Sequence, residues 1–197
     1  MRQLEERILR EGRVLPGDIL KVDGFLNHQI DPALLYDMAL EIKRLFAGEK
    51  IDKILTVEAS GIALAVMVGC VMDCPAVFAK KSRSLNISDD VYSAEVYSYT
   101  HKNTNMVIVS KSFLSPGERI LMVDDFLANG AALEGLCSLI EQAGAVAVGA
   151  AIAIEKAYQP GGDRLRAGGL RIESLARIAS MSDDSLIFCD NCQKTDN

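Results

Sequence analysis

The chain is poor in the residues that build metal centres and disulfide frameworks. It has two histidines and five irregularly spaced cysteines, so no disulfide pattern can be read from it. Cys189 and Cys192 form one Cys-x-x-Cys pair near the end, and no second pair completes a zinc set. Long apolar runs are also missing. The longest, Ile62–Met72, is too short to cross a bilayer. The first residues mix Glu, Arg and Leu instead of forming the apolar core of a signal peptide, so a soluble cytoplasmic protein is expected. Positive charge is in deficit: 21 Lys and Arg against 27 Asp and Glu give −6, which opposes a broad nucleic-acid footprint. Two phosphate-binding fingerprints are absent, the Gly-Lys-Ser/Thr of a P-loop and the Gly-x-Gly of a dinucleotide fold. No internal repeat or linker marks a second domain.

What is present is an α/β pattern. The 197 residues, 49% hydrophobic, suffice for one domain with a sizeable core. Its centre is the stretch Arg119–Leu127 and the residues after it. Ile120, Leu121, Met122 and Val123 form a continuous apolar run, which suits a buried parallel strand. Asp124 and Asp125 follow, then small residues around Gly130, then Leu133, Leu136 and Ile140 at helical spacing. Backbone N–H groups at a helix start bind phosphate, and small side chains let it approach. Adjacent carboxylates can accept bonds from sugar hydroxyls or hold a divalent cation.

A second unit of the same kind lies upstream. A strand over 51–57 runs into Glu58, Ala59, Ser60 and Gly61 before a helical pattern resumes, giving a second candidate anion loop. Two such units suit a substrate with phosphate at both ends. Further helices are expected over 1–11 and 32–46, the latter with Asp31 as N-cap and Pro32 in its first position. Short strands are expected over 76–79, 91–99, 105–111, 145–154 and 170–178. Pro160, Gly161 and Gly162 read as a loop, and 181–197 as a flexible tail. Lys80, Lys81 and Arg83 place positive charge beside a strand end, able to neutralise a diphosphate. Glu155 and Lys156 end an apolar strand, where a lysine is harder to dismiss as surface charge.

Strand, two acids, small-residue loop and helix together resemble the phosphoribosyl diphosphate-binding motif of the type I phosphoribosyltransferases. Ala128-Asn129-Gly130 is similar to the loop of the bacterial xanthine-using branch, and the likeness runs from the first residues to about Ala179. It implies a mainly parallel sheet flanked by helices over 51–180, with a small hood from residues 1–50. It implies transfer of a phosphoribosyl group from 5-phosphoribosyl 1-diphosphate to xanthine, with Mg²⁺ as cofactor and a homodimer as the assembly. By position, Asp124 and Asp125 would hold the ribose, and Ala128, Asn129, Gly130, Ala131 and Ala132 the 5-phosphate. Ala59, Ser60, Gly61 and Lys81 would meet the diphosphate, and Leu20, Asn27 and Lys156 the purine. Phe126 is a candidate to stack on the base or to belong to the core.

The chain departs from the commoner family pattern. Asn129, Ala131 and Ala132 stand where many relatives carry Thr, Gly and a hydroxyl residue, so backbone groups must do more of the phosphate binding. Ala128 replaces an acid that takes the base proton in some purine relatives, so no general base can be named. A cation that donates hydrogen bonds, Lys156, disfavours adenine. Asn27 leans toward xanthine, with guanine or hypoxanthine as alternatives. The rival from another class is a purine-responsive regulator using the same fold as an effector sensor. The α/β core begins by about Ile51, which leaves little room for an added DNA-binding domain.

Overall fold

The structure is a computed structural model that describes residues 1–81, 90–98, 103–182 and 185–189, with backbone alone at 97–98 and 103–104. The N-terminal part holds a helix α1 (Arg2–Glu11), a hairpin of β1 (Arg13–Leu15) and β2 (Ile19–Lys21), a π-turn at Asp23–Asn27, and helix α2 (Pro32–Leu45). The start of α2 follows its sequence. The Asp31 carboxylate accepts from the N–H groups of Ala33 and Leu34, Pro32 occupies the first turn, and Lys43 and Arg44 stand in the last, each favourable to the helix ends.

The core sheet contains β3 (Lys53–Val57), β4 (Ala76–Ala79), β7 (Arg119–Leu127), β8 (Val146–Lys156), β9 (Ile172–Ser182) and β10 (Ser185–Phe188). Its order is β10-β9-β8-β7-β3-β4. All neighbours run parallel except β10, which returns antiparallel to β9. Helices α3 (Ile62–Met72), α4 (Ala131–Gln142) and α5 (Gly161–Ala167) follow β3, β7 and β8. Strands β5 (Val91–Ser98) and β6 (Asn103–Ser110) form a separate antiparallel hairpin.

The run Ile120–Val123 is continuous because both faces of the sheet are covered. Leu121 and Val123 pack with α1, α2 and α3. Ile120 and Met122 pack with Leu133, Leu136 and Leu139 of α4 and with the β5–β6 hairpin. The fold is thus the α/β arrangement, mainly parallel, that the sequence implied, with every βα connection at the carboxyl ends of the strands.

Two local expectations are corrected. Gly161 and Gly162 do not form a loop; they open α5, and their lack of side chains is what lets that helix pack closely. A Cβ on Gly162 would lie 2.3 Å from Glu155 Oε1. The stretch from 181 is not free at its start either. β9 continues through Ser182, and β10 pairs with it, because Leu186 and Phe188 alternate inward onto the first core layer. Residues 183–184 and 190–197 of the expected tail, Cys192 among them, lie outside the described residues. So do residues 82–89, which include Arg83 of the basic turn, and Tyr99. Among the described residues, no helix is long and apolar enough to cross a membrane.

Candidate active site

β7 does not stop before its acids. It carries Asp124 and Asp125 to the sheet's carboxyl edge, where they are 5% and 7% exposed. Asp125 is where three distant segments meet. Its Oδ1 accepts from Ser60 Oγ at 3.0 Å and its Oδ2 from Asn27 Nδ2 at 3.2 Å. Its own backbone N–H donates to Asp124 Oδ1 at 3.0 Å. The hood, the β3–α3 loop and the central strand are therefore tied at one carboxylate. Burial, and then the neighbouring Asp125 charge, push the Asp124 carboxyl well above the usual range. An arriving positive charge would oppose that push.

The Ala59–Gly61 loop sits against this pair. A methyl group on Gly61 would fall 2.2 Å from Thr56 Oγ1 and 2.8 Å from Asp124 Oδ1, so only glycine lets the loop lie this low. The Glu58–Ala59 peptide is cis. Lys81 is exposed just past β4, and its backbone N–H donates to Glu58 Oε1 at 2.7 Å. Its ammonium charge opposes the upward push on Asp124, so it bears on the same site.

The Ala128–Gly130 loop caps β7 and feeds α4. Gly130 has φ +89°, a conformation that glycine adopts at little cost. The Asn129 side chain takes over the work of a cap: its Oδ1 accepts from Ala131 N at 2.9 Å. One N–H of the first helical turn is therefore engaged internally, and fewer are left for a phosphate than the sequence suggested. The loop is seated on α5. Gly161 N donates to Ala128 O at 3.1 Å, and Arg164 Nη2 donates to Asn129 O at 2.8 Å and to Glu134 Oε1 at 2.7 Å.

Lys156 belongs to a second centre at the hood hairpin, whereas Leu20 of that hairpin packs in the hydrophobic core. Leu20 lies in β2 and is 7% exposed. Lys156, at the end of β8, donates from Nζ to the backbone carbonyl of Asp18 in the β1–β2 turn and pairs with Asp18 Oδ2 at 3.5 Å. Tyr158 and Gln159 donate to the same carboxylate. Phe126 is half-buried and packs against the hood-side core layer. Behind Lys156, Glu155 is 1% exposed and accepts from both terminal nitrogens of Arg166 at 2.7 Å, from Ser174 Oγ at 2.6 Å and from Arg177 Nε at 3.1 Å. Burial pushes its carboxyl up, but the bonds from Arg166 and Ser174 outweigh that and hold it below the ordinary value.

Asp18, Tyr158, Gln159 and the Glu155–Arg166 pair carry no sequence signal. Asp18 and Lys156 are 138 positions apart, and no local pattern announces such a contact.

Comparison with known proteins bears on the family and the fold. The family described as phosphoribosyl transferase domain matches residues 23–165. Xanthine phosphoribosyltransferase of Limosilactobacillus reuteri (strain DSM 20016) is 52% identical over 188 residues, covering 95% of this chain and 98% of that one. The protein of the same name from Latilactobacillus sakei subsp. sakei (strain 23K) is 54% identical over 190 residues, covering 96% and 97%. Among solved structures, adenine phosphoribosyltransferase from Rhodothermus marinus superposes with a TM-score of 0.74, 23% identity and coverage of 90% and 99%. That last likeness carries the fold and not the base.

Proposed function

The chain belongs to the phosphoribosyl transferase family, and on that premise we propose that it is a xanthine phosphoribosyltransferase of purine salvage. It would join xanthine to the anomeric carbon of 5-phosphoribosyl 1-diphosphate, giving xanthosine 5′-monophosphate and diphosphate. The observation that carries the reading is the meeting of Asn27, Ser60 and Asp125 at one buried carboxylate, between two small-residue loops.

The roles follow from the chemistry. The backbone of Ala128 to Ala132 receives the 5-phosphate at the start of α4. Ala59, Ser60 and Gly61 receive the diphosphate, with Lys81 supplying charge. Asp124 and Asp125 face the ribose and stabilise positive charge as it develops at the anomeric carbon. Lys156 donates to a purine carbonyl oxygen, and Asn27 offers both a donor and an acceptor to the polar edge. The C–O bond to diphosphate breaks, a C–N bond to the base forms, and the base loses a proton. Position 128 is Ala, so the loop supplies no carboxylate for that proton. Catalysis then rests on positioning and electrostatics.

The residues fit Mg²⁺. Two adjacent buried carboxylates concentrate negative charge that a proton or cation must offset. Among the described residues, no group of three His, Cys, Asp or Glu could cage an ion, which suits a cation held largely by substrate and water oxygens. When bound, it would neutralise the leaving diphosphate.

Incubation with 5-phosphoribosyl 1-diphosphate, Mg²⁺ and xanthine tests the reaction. Xanthine-dependent release of diphosphate supports it. Binding of the diphosphate sugar without turnover, together with DNA or RNA binding at moderate salt, would replace it with the sensor reading. We further propose a cytoplasmic homodimer; light scattering in solution tests the dimer.

A further inference from the structure

Asp18 sits at the tip of the hood hairpin with φ +64°, a left-handed conformation that Asp, Asn and Gly tolerate best. Three side chains at and just past the carboxyl end of β8 converge on it. Lys156 reaches its backbone carbonyl and its carboxylate, Tyr158 donates to Oδ1, and Gln159 Nε2 donates to Oδ2 at 2.6 Å. A residue at an exposed turn, 39% accessible, thus engages a lysine side chain that is only 11% accessible. Burial and the Asp18 carboxylate push the Tyr158 phenol up, so its hydroxyl remains a donor.

We propose that Asp18 is a positioning residue for base recognition: it latches the hood hairpin to the end of β8 and directs the Lys156 ammonium at the purine. The proposal rests on the reading of Lys156 as the purine contact. A lysine ammonium has three donors. Asp18 takes up to two of them, one with its carbonyl and one with its carboxylate, and leaves at least one for a carbonyl oxygen of the base. Asp18 immediately precedes β2, which carries Leu20, so one residue ties that hairpin to the strand that carries Lys156. Free lysine side chains lose substantial rotamer freedom when they bind. Here that loss is met before the base arrives.

The test is steady-state kinetics on Asp18→Gly and Asp18→Asn, both compatible with the left-handed backbone. Asp18→Gly should raise KM for xanthine by about 10-fold, the size expected when a bond between charged groups is lost. KM for 5-phosphoribosyl 1-diphosphate and kcat should stay near wild type. Asp18→Asn, which keeps the turn but not the charge, should fall between. Tyr158→Phe should raise KM for xanthine by a smaller factor. An unchanged or lowered KM for xanthine in Asp18→Gly overturns the proposal, as does a parallel rise for both substrates with a lowered melting temperature. Lys156→Ala separates the two levels. If it leaves KM for xanthine untouched, the reading of the site fails; if it raises KM while Asp18→Gly does not, the latch alone fails.

Discussion

Replacing Gly161 by Ala probes the support of the phosphate loop. The added carbon would lie 2.3 Å from Asn129 C, 2.4 Å from Ala128 O and 2.5 Å from Gly130 N. Ordinary contacts between carbons lie at about 3.5–4.0 Å, and all three obstacles are backbone, so no side chain can swing aside. Loop and helix must separate by roughly 1 Å. The bond from Gly161 N to Ala128 O, 3.1 Å long, would be lost or stretched, at a net cost of about 1 kcal/mol. Overpacking adds about 1–3 kcal/mol. Taken together at roughly 2–4 kcal/mol, the melting temperature should fall by about 5–15 °C for a chain of this size. A loop misplaced by about 1 Å should lower kcat/KM for 5-phosphoribosyl 1-diphosphate by about 100-fold. KM for xanthine should change far less, because Lys156 is held by the separate Asp18 centre. The assay is differential scanning fluorimetry with initial rates at varied diphosphate sugar. Wild-type values of both would refute the claim that α5 seats the loop.

Other outcomes follow from the same geometry. Asp125→Asn should lower kcat by about 100-fold or more with the circular dichroism spectrum retained; a nearly normal rate would remove Asp125 from the mechanism. Lys156→Ala should raise KM for xanthine by at least about 10-fold and leave KM for 5-phosphoribosyl 1-diphosphate in place, read from the two substrate titrations. Glu155→Ala should cost about 3–5 kcal/mol in urea unfolding, because it strands a half-buried Arg166; an unchanged midpoint would contradict this. The Glu155 carboxyl is held below its ordinary value of 4.5, so its stabilisation is fully present above that pH and is lost as pH falls through the lowered value. The stability gap between wild type and Glu155→Gln should therefore stay constant above about pH 5 and narrow in more acid solution.

Much of this architecture was legible because it is written locally. The unbroken run before Asp124, the Asp31-Pro32 start of α2 and the small residues at 59–61 and 128–132 each answer to the backbone around them. Family position brought Asn27 to the site, but its bond to Asp125 spans 98 residues and had no sequence signal. The missed parts are those whose cause is distant in the chain. The seven-residue α5 opens with two glycines, which read as a turn until the packing against Glu155 and the 128–130 loop is seen. β10 is four residues long, too short for its alternation to stand out from a polar tail. Asp18 looks like any turn aspartate until Lys156, Tyr158 and Gln159 arrive from the other end.

The central claim is the identity of the base. Its most direct test is kcat/KM measured with 5-phosphoribosyl 1-diphosphate and Mg²⁺ for xanthine, guanine, hypoxanthine and adenine offered separately. Xanthine should be preferred, with adenine the poorest because its amino group is a donor facing the Lys156 donor. A preference for guanine, hypoxanthine or adenine, or no turnover with any of the four, would contradict the account.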